Sequence, residues 1–227
     1  MMGFEEESSP IMTNANDLLS KVFFRMFLGL LATAFVAGYT YYSGLLEDFV
    51  LRGGYVFCLI AEIVVVLLFS FGFKKFSPGV VTGLFYAYSI LTGLTFSSIF
   101  VVFELSSIVY AFLGTAAIFG ILAYVGKNTT KDLTKLGTIL TITLIVGLVI
   151  SIINLFVGSA MVDIVLDWVI LLVFMGFTVY DMNKIVALRE EGFTDDEHLY
   201  IYGAMELYLD FINMFIRILY LFGKRRD

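Results

Sequence analysis

Glu62, Asp181 and Asp210 each interrupt a long apolar run, where a charge is costly. Asp210 lies in a run that also holds Glu206, Asn213 and Arg217. These strongly polar residues recur at i, i+4, i+7 and i+11, so they share one helical face. Leu207, Phe211, Phe215 and Leu219 take the opposite face. Asp181 stands about six residues before the preceding run ends near Ala187, roughly 9 Å by helix rise. Asp210 stands about eight residues after its own run begins near Tyr202, roughly 12 Å by the same rise. The connecting segment 189–200 makes the two runs an antiparallel hairpin. The two carboxyls are therefore expected at similar depth, where they can meet.

Two carboxyls that meet away from water cannot both ionise cheaply and share one proton over a range of pH. Loss of that proton leaves like charges that separate, recruit a cation, or capture a base. Lys74, Lys184 and Arg217 are the candidate switching counter-charges. The arrangement is a pH-controlled latch, with Asp181 and Asp210 as sensor and gate. The alternative is two unrelated aspartates, each capped by hydroxyls or backbone. Glu62 lies twelve residues before Lys74, about 18 Å from the helix end and near mid-membrane. There it can form a second carboxylate station on a cation path, together with Glu206 and Asn213. Hard cations such as calcium take oxygen ligands, which makes Asp181, Asp210 and Glu62 the candidate calcium ligands. One histidine, His198, and one cysteine, Cys58, exclude multi-histidine sites, thiol clusters and a disulfide framework. Glu104 reads as a solvated loop charge, and Asp163 and Asp167 as acids stabilising a helix N-terminus.

The elements that position these groups follow from composition. Of 227 residues, 60% are hydrophobic and 15% charged, against about 45–50% and about 25% in soluble domains. Between Lys75 and Lys127 lie 51 residues with Glu104 as the single charge, and between Lys135 and Asp163 lie 27 with none. Such stretches are membrane spans. They are too long for barrel strands of about 10 residues, which excludes an outer-membrane β-barrel. The start, MMGFEEESS, lacks the basic segment of a cleaved signal peptide, so the first apolar run is expected to be retained. The net charge of −6 points away from nucleic acid.

Uncharged runs predict seven helices: 26–43, 54–73, 80–102, 108–125, 136–157, 164–187 and 202–222. Gly53-Gly54, Ser77-Pro78-Gly79 and Gly158-Ser159 separate several of them. Residues 1–21 form an acidic, polar tail, 22–223 a single transmembrane domain, and 224–227 a short charged tail. Nine basic residues (Lys21, Arg25, Lys74, Lys75, Lys127, Lys131, Lys135, Lys184 and Arg189) fall on one side of the first six spans, with Arg52 alone on the other. That asymmetry places the N-terminus in the cytoplasm. The last segment carries Glu206, Asp210 and Arg217, each costing about +2.5–3.5 kcal/mol near a helix centre on the insertion scale. It must be shielded from lipid. The expected fold is an all-α polytopic membrane protein, a seven-helix bundle with the last helix buried among the other six. The side of the final tail stays open, since the segment either crosses or re-enters.

These residues resemble the transmembrane Bax inhibitor motif family. The most specific match is Glu206-Leu207-Tyr208-Leu209-Asp210-Phe211-Ile212-Asn213-Met214-Phe215, close to that family's final-helix signature. Val179-Tyr180-Asp181-Met182-Asn183-Lys184-Ile185 is similar to its sixth-helix motif, and Gly93-Leu94-Thr95-Phe96-Ser97 and Ile153-Asn154-Leu155-Phe156 extend the match. The resemblance implies a last helix surrounded by six. It also implies a pH-sensitive calcium leak whose paired aspartates match Asp181 and Asp210 and whose second-helix acid matches Glu62. The family's basic partner falls around residues 73–75. This sequence has Lys74 and Lys75 there and no arginine, which supplies charge without a bidentate fork.

The expected function is therefore a pH-sensitive calcium (cation) leak channel gated by the Asp181–Asp210 pair, and not an enzyme. It would reside in a bacterial plasma membrane, with no tightly bound cofactor and calcium as the transported ion. Its partners are the lipid bilayer, calcium and protons. A non-conducting regulator acting through helix partners is the alternative, with Lys224-Arg225-Arg226 and the loop 190–197 as contact sites. An intramembrane aspartyl protease is remote: Asp210 follows Tyr208-Leu209, and no Pro-Ala-Leu motif comes after it.

Overall fold

A computed structural model describes residues 10–73, 75–190 and 196–226. The helices are α1 (Pro10–Tyr42), α2 (Leu45–Leu51), α3 (Gly54–Gly72), α4 (Pro78–Phe96), α5 (Ile99–Val102), α6 (Leu105–Asn128), α7 (Thr134–Val157), α8 (Ala160–Glu190) and α9 (Asp196–Phe222). Pro78 opens α4 with its ring in the first turn, where the missing N–H costs nothing. Gly158 ends α7 at φ 69, donating its N–H to Asn154. That left-handed geometry needs a residue without Cβ.

Six stretches are long and apolar enough to cross a membrane: Asn16–Tyr42, Gly54–Gly72, Pro78–Val102, Leu105–Asn128, Thr134–Val157 and Ala160–Arg189. Their outward faces carry exposed Phe35, Phe57, Phe71, Tyr124, Leu155 and Phe156, a belt that hydrocarbon solvates and water does not. The chain is an all-α polytopic integral membrane protein. Its core is not the outer helices but α9, whose Ile201, Met205, Leu207, Tyr208, Met214 and Leu219 are fully buried.

The enclosure of α9 differs in detail from the expected ring of six. Helix α9 packs against α8, α1, α6 and α4, while α3 lies against α4 and α7 against α8. Close approach is achieved at glycines, as membrane helices lacking a hydrophobic drive require. A Cβ on Gly93 of α4 would come 2.8 Å from the Thr33 carbonyl of α1, and one on Gly126 of α6 would come 2.5 Å from the Val179 carbonyl of α8. Gly114 and Gly120 meet nothing within 4 Å, so small residues mark contacts only where they face a neighbour.

Several boundaries move. The expected polar tail is helical from Pro10, with Leu18 and Leu19 in the core. A short helix, α2, occupies the first connection. Helix α8 runs on to Glu190 and α9 begins at Asp196. Measured from these ends, Asp181 lies about 14 Å and Asp210 about 21 Å along their helices, farther from the helix ends than the apolar runs suggested.

Basic residues and the start of α9 meet at one end of the bundle. There Arg25 pairs with Glu197, Lys21 donates to the Tyr200 hydroxyl at 3.2 Å, and Lys127 donates to Asn16 at 2.5 Å. The tail is at the other end, so α9 crosses the whole bundle. Phe103 and Arg225 form an antiparallel bridge. Glu104 N donates to the Lys224 carbonyl at 3.0 Å and Arg226 N to the Val102 carbonyl at 2.9 Å. Lys224 N donates to Ser107 Oγ at 2.9 Å, and Arg226 Nη1 to the Tyr41 hydroxyl at 2.5 Å. Glu104 is a solvated loop charge, as expected, and it also pairs with Lys224 at 2.5 Å. Partnering of these two tail cations is how a basic tail is accommodated at the end where basic residues are few.

Two outcomes follow from these contacts. Gly126→Ala is expected to lower unfolding stability in detergent by about 1–3 kcal/mol through overpacking, whereas Gly120→Ala stays within about 0.5 kcal/mol. Lys224 holds the Glu104 carboxyl below its ordinary value of 4.5. With the folded value the lower one, the strap's contribution is complete above that ordinary value and is lost as pH falls through the folded one. Protection of the Lys224 and Arg226 amides, measured as exchange relative to the intrinsic rate at each pH, should therefore fall as acid titrates Glu104 below its ordinary value, and Glu104→Gln should abolish that acid response.

Candidate functional site

Helices α8 and α9 run antiparallel through the short connection after Glu190 and pack along their lengths. Asp181 is 4% exposed and Asp210 2%. Around them stand Met182, Ile185, Leu207, Phe211 and Met214, all buried. The Asp210 carboxyl lies within the field of Asp181 on α8 and of Glu206 one turn away on its own helix. Its Oδ2 is buried without a hydrogen-bond partner. The buried Thr178 hydroxyl stands beside it, but its single proton has the Phe174 carbonyl at 2.9 Å and Met214 Sδ at 3.6 Å as competing acceptors.

Among the described residues, Lys184 is the basic group within the field of Asp181. Its ammonium donates to the Tyr202 hydroxyl and sits over the Tyr202 and Tyr180 rings at 5.1 and 5.7 Å. Asp181, Asp210 and Glu206 thus lie near one another, with Lys184 beside Asp181. Lys74 lies outside the described residues.

The other expected site residues are placed as follows. Glu62 of α3 accepts from Thr95 Oγ1 of α4 at 2.6 Å, on the opposite side of α9 from Asp181. Asn213 is satisfied by the Leu209 carbonyl of its own helix at 2.8 Å. Arg217 is not aimed at the aspartate pair. It pairs with Asp167 at 2.6 Å, in a cavity of about 750 Å³ at the tail end lined by Asp163, Trp168, Tyr220 and Arg225. Asp167 is therefore an ion-pair partner rather than only a helix-start acid. Asp163 accepts from Asn154 Nδ2 at 2.6 Å. The expected calcium set of Asp181, Asp210 and Glu62 does not converge. Among the described residues no three His, Cys, Asp or Glu side chains are grouped to hold a metal ion.

A second polar cluster escaped the sequence reading. Thr33 Oγ1 and Tyr208 Oη are 2.6 Å apart, and Ser89 and Thr92 of α4 flank the same phenol. The signal was present in Ser89, Thr92 and Thr95, which recur at i, i+3 and i+6 along one face of α4.

Comparison with known proteins agrees with this architecture. A family model described as "Inhibitor of apoptosis-promoting Bax1" matches residues 15–227. Inner membrane protein YbhL of Escherichia coli K12 is 38% identical over 214 residues, covering 92% of each chain. A protein of Borreliella burgdorferi is 32% identical over 232 aligned positions, covering 100% of both. A membrane protein of Streptococcus pyogenes serotype M1 is 35% identical over 167 residues, 73% of this chain and 72% of that one.

The Arg217–Asp167 pair is open to a direct check. Arg217→Met leaves a mostly buried carboxylate without its partner and is expected to cost about 1–3 kcal/mol of unfolding stability. Adding Asp167→Asn should recover part of that loss, a non-additivity measurable in a double-mutant cycle.

Proposed function

The chain belongs to the Bax inhibitor-1 family, and from that membership we propose that it is a pH-sensitive leak channel for calcium and similar cations, gated by protonation of Asp181 and Asp210. The observation that carries the reading is the burial of both carboxyls on adjacent helices, with one Asp210 oxygen lacking any partner. One shared proton leaves such a pair with a single negative charge in place of two. Two unit charges 4 Å apart repel by about 4 kcal/mol at an effective dielectric of 20, enough to unsettle the α8–α9 packing. Lys184 is the described base within reach of the ionised state. Its link to Tyr202 is exchangeable, and lysine supplies charge without a fixed fork.

Calcium moves past single acids in turn rather than into a chelating cage. Glu62 and Glu206 serve as stations, which suits a leak better than tight binding would. The nine-to-one distribution of basic residues over the first six spans supports a cytoplasmic N-terminus in a bacterial plasma membrane. The E. coli relative is named an inner membrane protein. No catalytic role is proposed. The regulator alternative loses part of its docking tail, since Lys224 and Arg226 are engaged with Glu104 and Tyr41.

The test is calcium flux against pH in proteoliposomes made with the purified protein. Asp181→Asn and Asp210→Asn are each expected to flatten the pH dependence. Parental pH profiles in both variants, or no flux at any pH, would overturn the reading.

A further inference from the structure

We propose that the hydroxyl bond between Tyr208 and Thr33 is the barrier of the conducting path, so that α9 senses protons on its α8 face and closes the path on its α1–α4 face. This deepens the leak-channel reading and rests on it.

Tyr208 precedes Asp210 by two residues, about 200° around the helix. Asp210 therefore faces Asp181 and Thr178 of α8, while Tyr208 faces α1 and α4. The Tyr208 ring is fully buried and held edge-on by Phe85 at 5.6 Å and Tyr88 at 6.0 Å. Its hydroxyl meets Thr33 Oγ1 at 2.6 Å. Thr33 Oγ1 also lies 2.9 Å from the Ser89 carbonyl and 3.1 Å from the Gly29 carbonyl. Carbonyls only accept, so the one Thr33 proton goes to them and the phenol donates to Thr33. The bond is directional and ties α9 to α1, with the Ser89 carbonyl adding α4.

Beyond this junction the hydroxyls continue. Thr92 is 2% exposed and stands beside both phenols, with its Oγ1 making no hydrogen bond of regular geometry. Thr95, one turn further, donates to Glu62. A buried hydroxyl without a well-formed hydrogen bond is costly, a cost that an alanine or valine would avoid. Polar groups retained inside a membrane bundle line ion paths, and an all-oxygen file suits a hard cation. Among the described residues, the charged and titratable groups facing Tyr208 are Glu62 of α3 and Tyr88 of α4, while α1 presents Thr33. A displacement of α9 from α8, driven by charge on the aspartates, shifts Tyr208 against Thr33 because one rigid helix carries both groups.

The experiment uses Tyr208→Phe and Thr33→Val, which keep volume and remove one hydroxyl each, in calcium-loaded proteoliposomes across pH beside Asp210→Asn and Asp181→Asn. Each hydroxyl variant is expected to raise flux about three- to tenfold at the pH where the parent leaks least, the effect of one hydrogen bond. The double variant should leak no more than the larger single one. If Tyr208→Phe is not monodisperse in detergent, Thr33→Val alone decides. Parental flux in both hydroxyl variants, with flattened profiles in the aspartate variants, overturns the barrier and leaves the sensor standing. Parental profiles in both aspartate variants overturn the sensor and this coupling with it.

Discussion

A carboxylate in hydrocarbon has no water to hydrate it and must be surrounded by protein or neutralised. Helix α9 carries two carboxyls and a guanidinium in its middle and far turns, so it cannot face lipid at those positions. The rest of the architecture answers that constraint. Helices α1, α4, α6 and α8 turn small polar residues such as Thr33, Ser89, Thr115 and Thr178 inward beside bulky core residues such as Phe85 and Phe119. The usual arrangement of a soluble protein, with its greasiest element at the centre, is inverted.

The same constraint explains how the helix is held. Its start is fastened by ion-pair and cation–π contacts to the basic end, including Arg25 with Glu197 and Lys21 over Tyr200. Its end is fastened by backbone pairing to the α5–α6 junction. Between these moorings lie two polar layers on opposite faces, Asp210 against α8 and Tyr208 against α1 and α4. In the proposed gate, a helix moored at its ends and polar on two faces carries a change in charge on one side to the hydrogen bonding on the other. Rigidity along the helix does the transmitting, and no chain of intermediates is needed.

Much of the fold was legible because the bilayer imposes one strong rule, the length of uncharged chain. Six spans stood out on that rule alone, and the seventh was recognisable by its failure to obey it. Boundaries were less legible. The rule reports where charge stops, not where helix stops, and the polar ends of α1, α8 and α9 continue as helix past the apolar runs. The placement of Asp181 and Asp210 on neighbouring stretches of consecutive helices was legible from periodicity and hairpin geometry. Arg217 was misassigned because a helical stripe gives the face of a residue but not its neighbour: two turns from Asp210, the same face meets Asp167. The hydroxyl cluster was passed over because serine and threonine are common in membrane helices. Only contact with Tyr208 distinguishes Ser89, Thr92 and Thr95 from ordinary composition.

The amino-acid sequence alone determined that the chain spans a membrane as helices, that its last helix needs protein around it, and that two acids on consecutive helices can meet. These follow from local quantities: transfer cost, helical period and chain length. Tertiary structure alone decided that the tail folds back on the far end, that Glu104 and Arg217 are spent in ion pairs, and that Glu62 stands apart from the aspartates behind a tyrosine. Those outcomes depend on which faces of distant helices touch, and the bilayer, being indifferent to rotation about a helix axis, leaves that choice to side-chain packing.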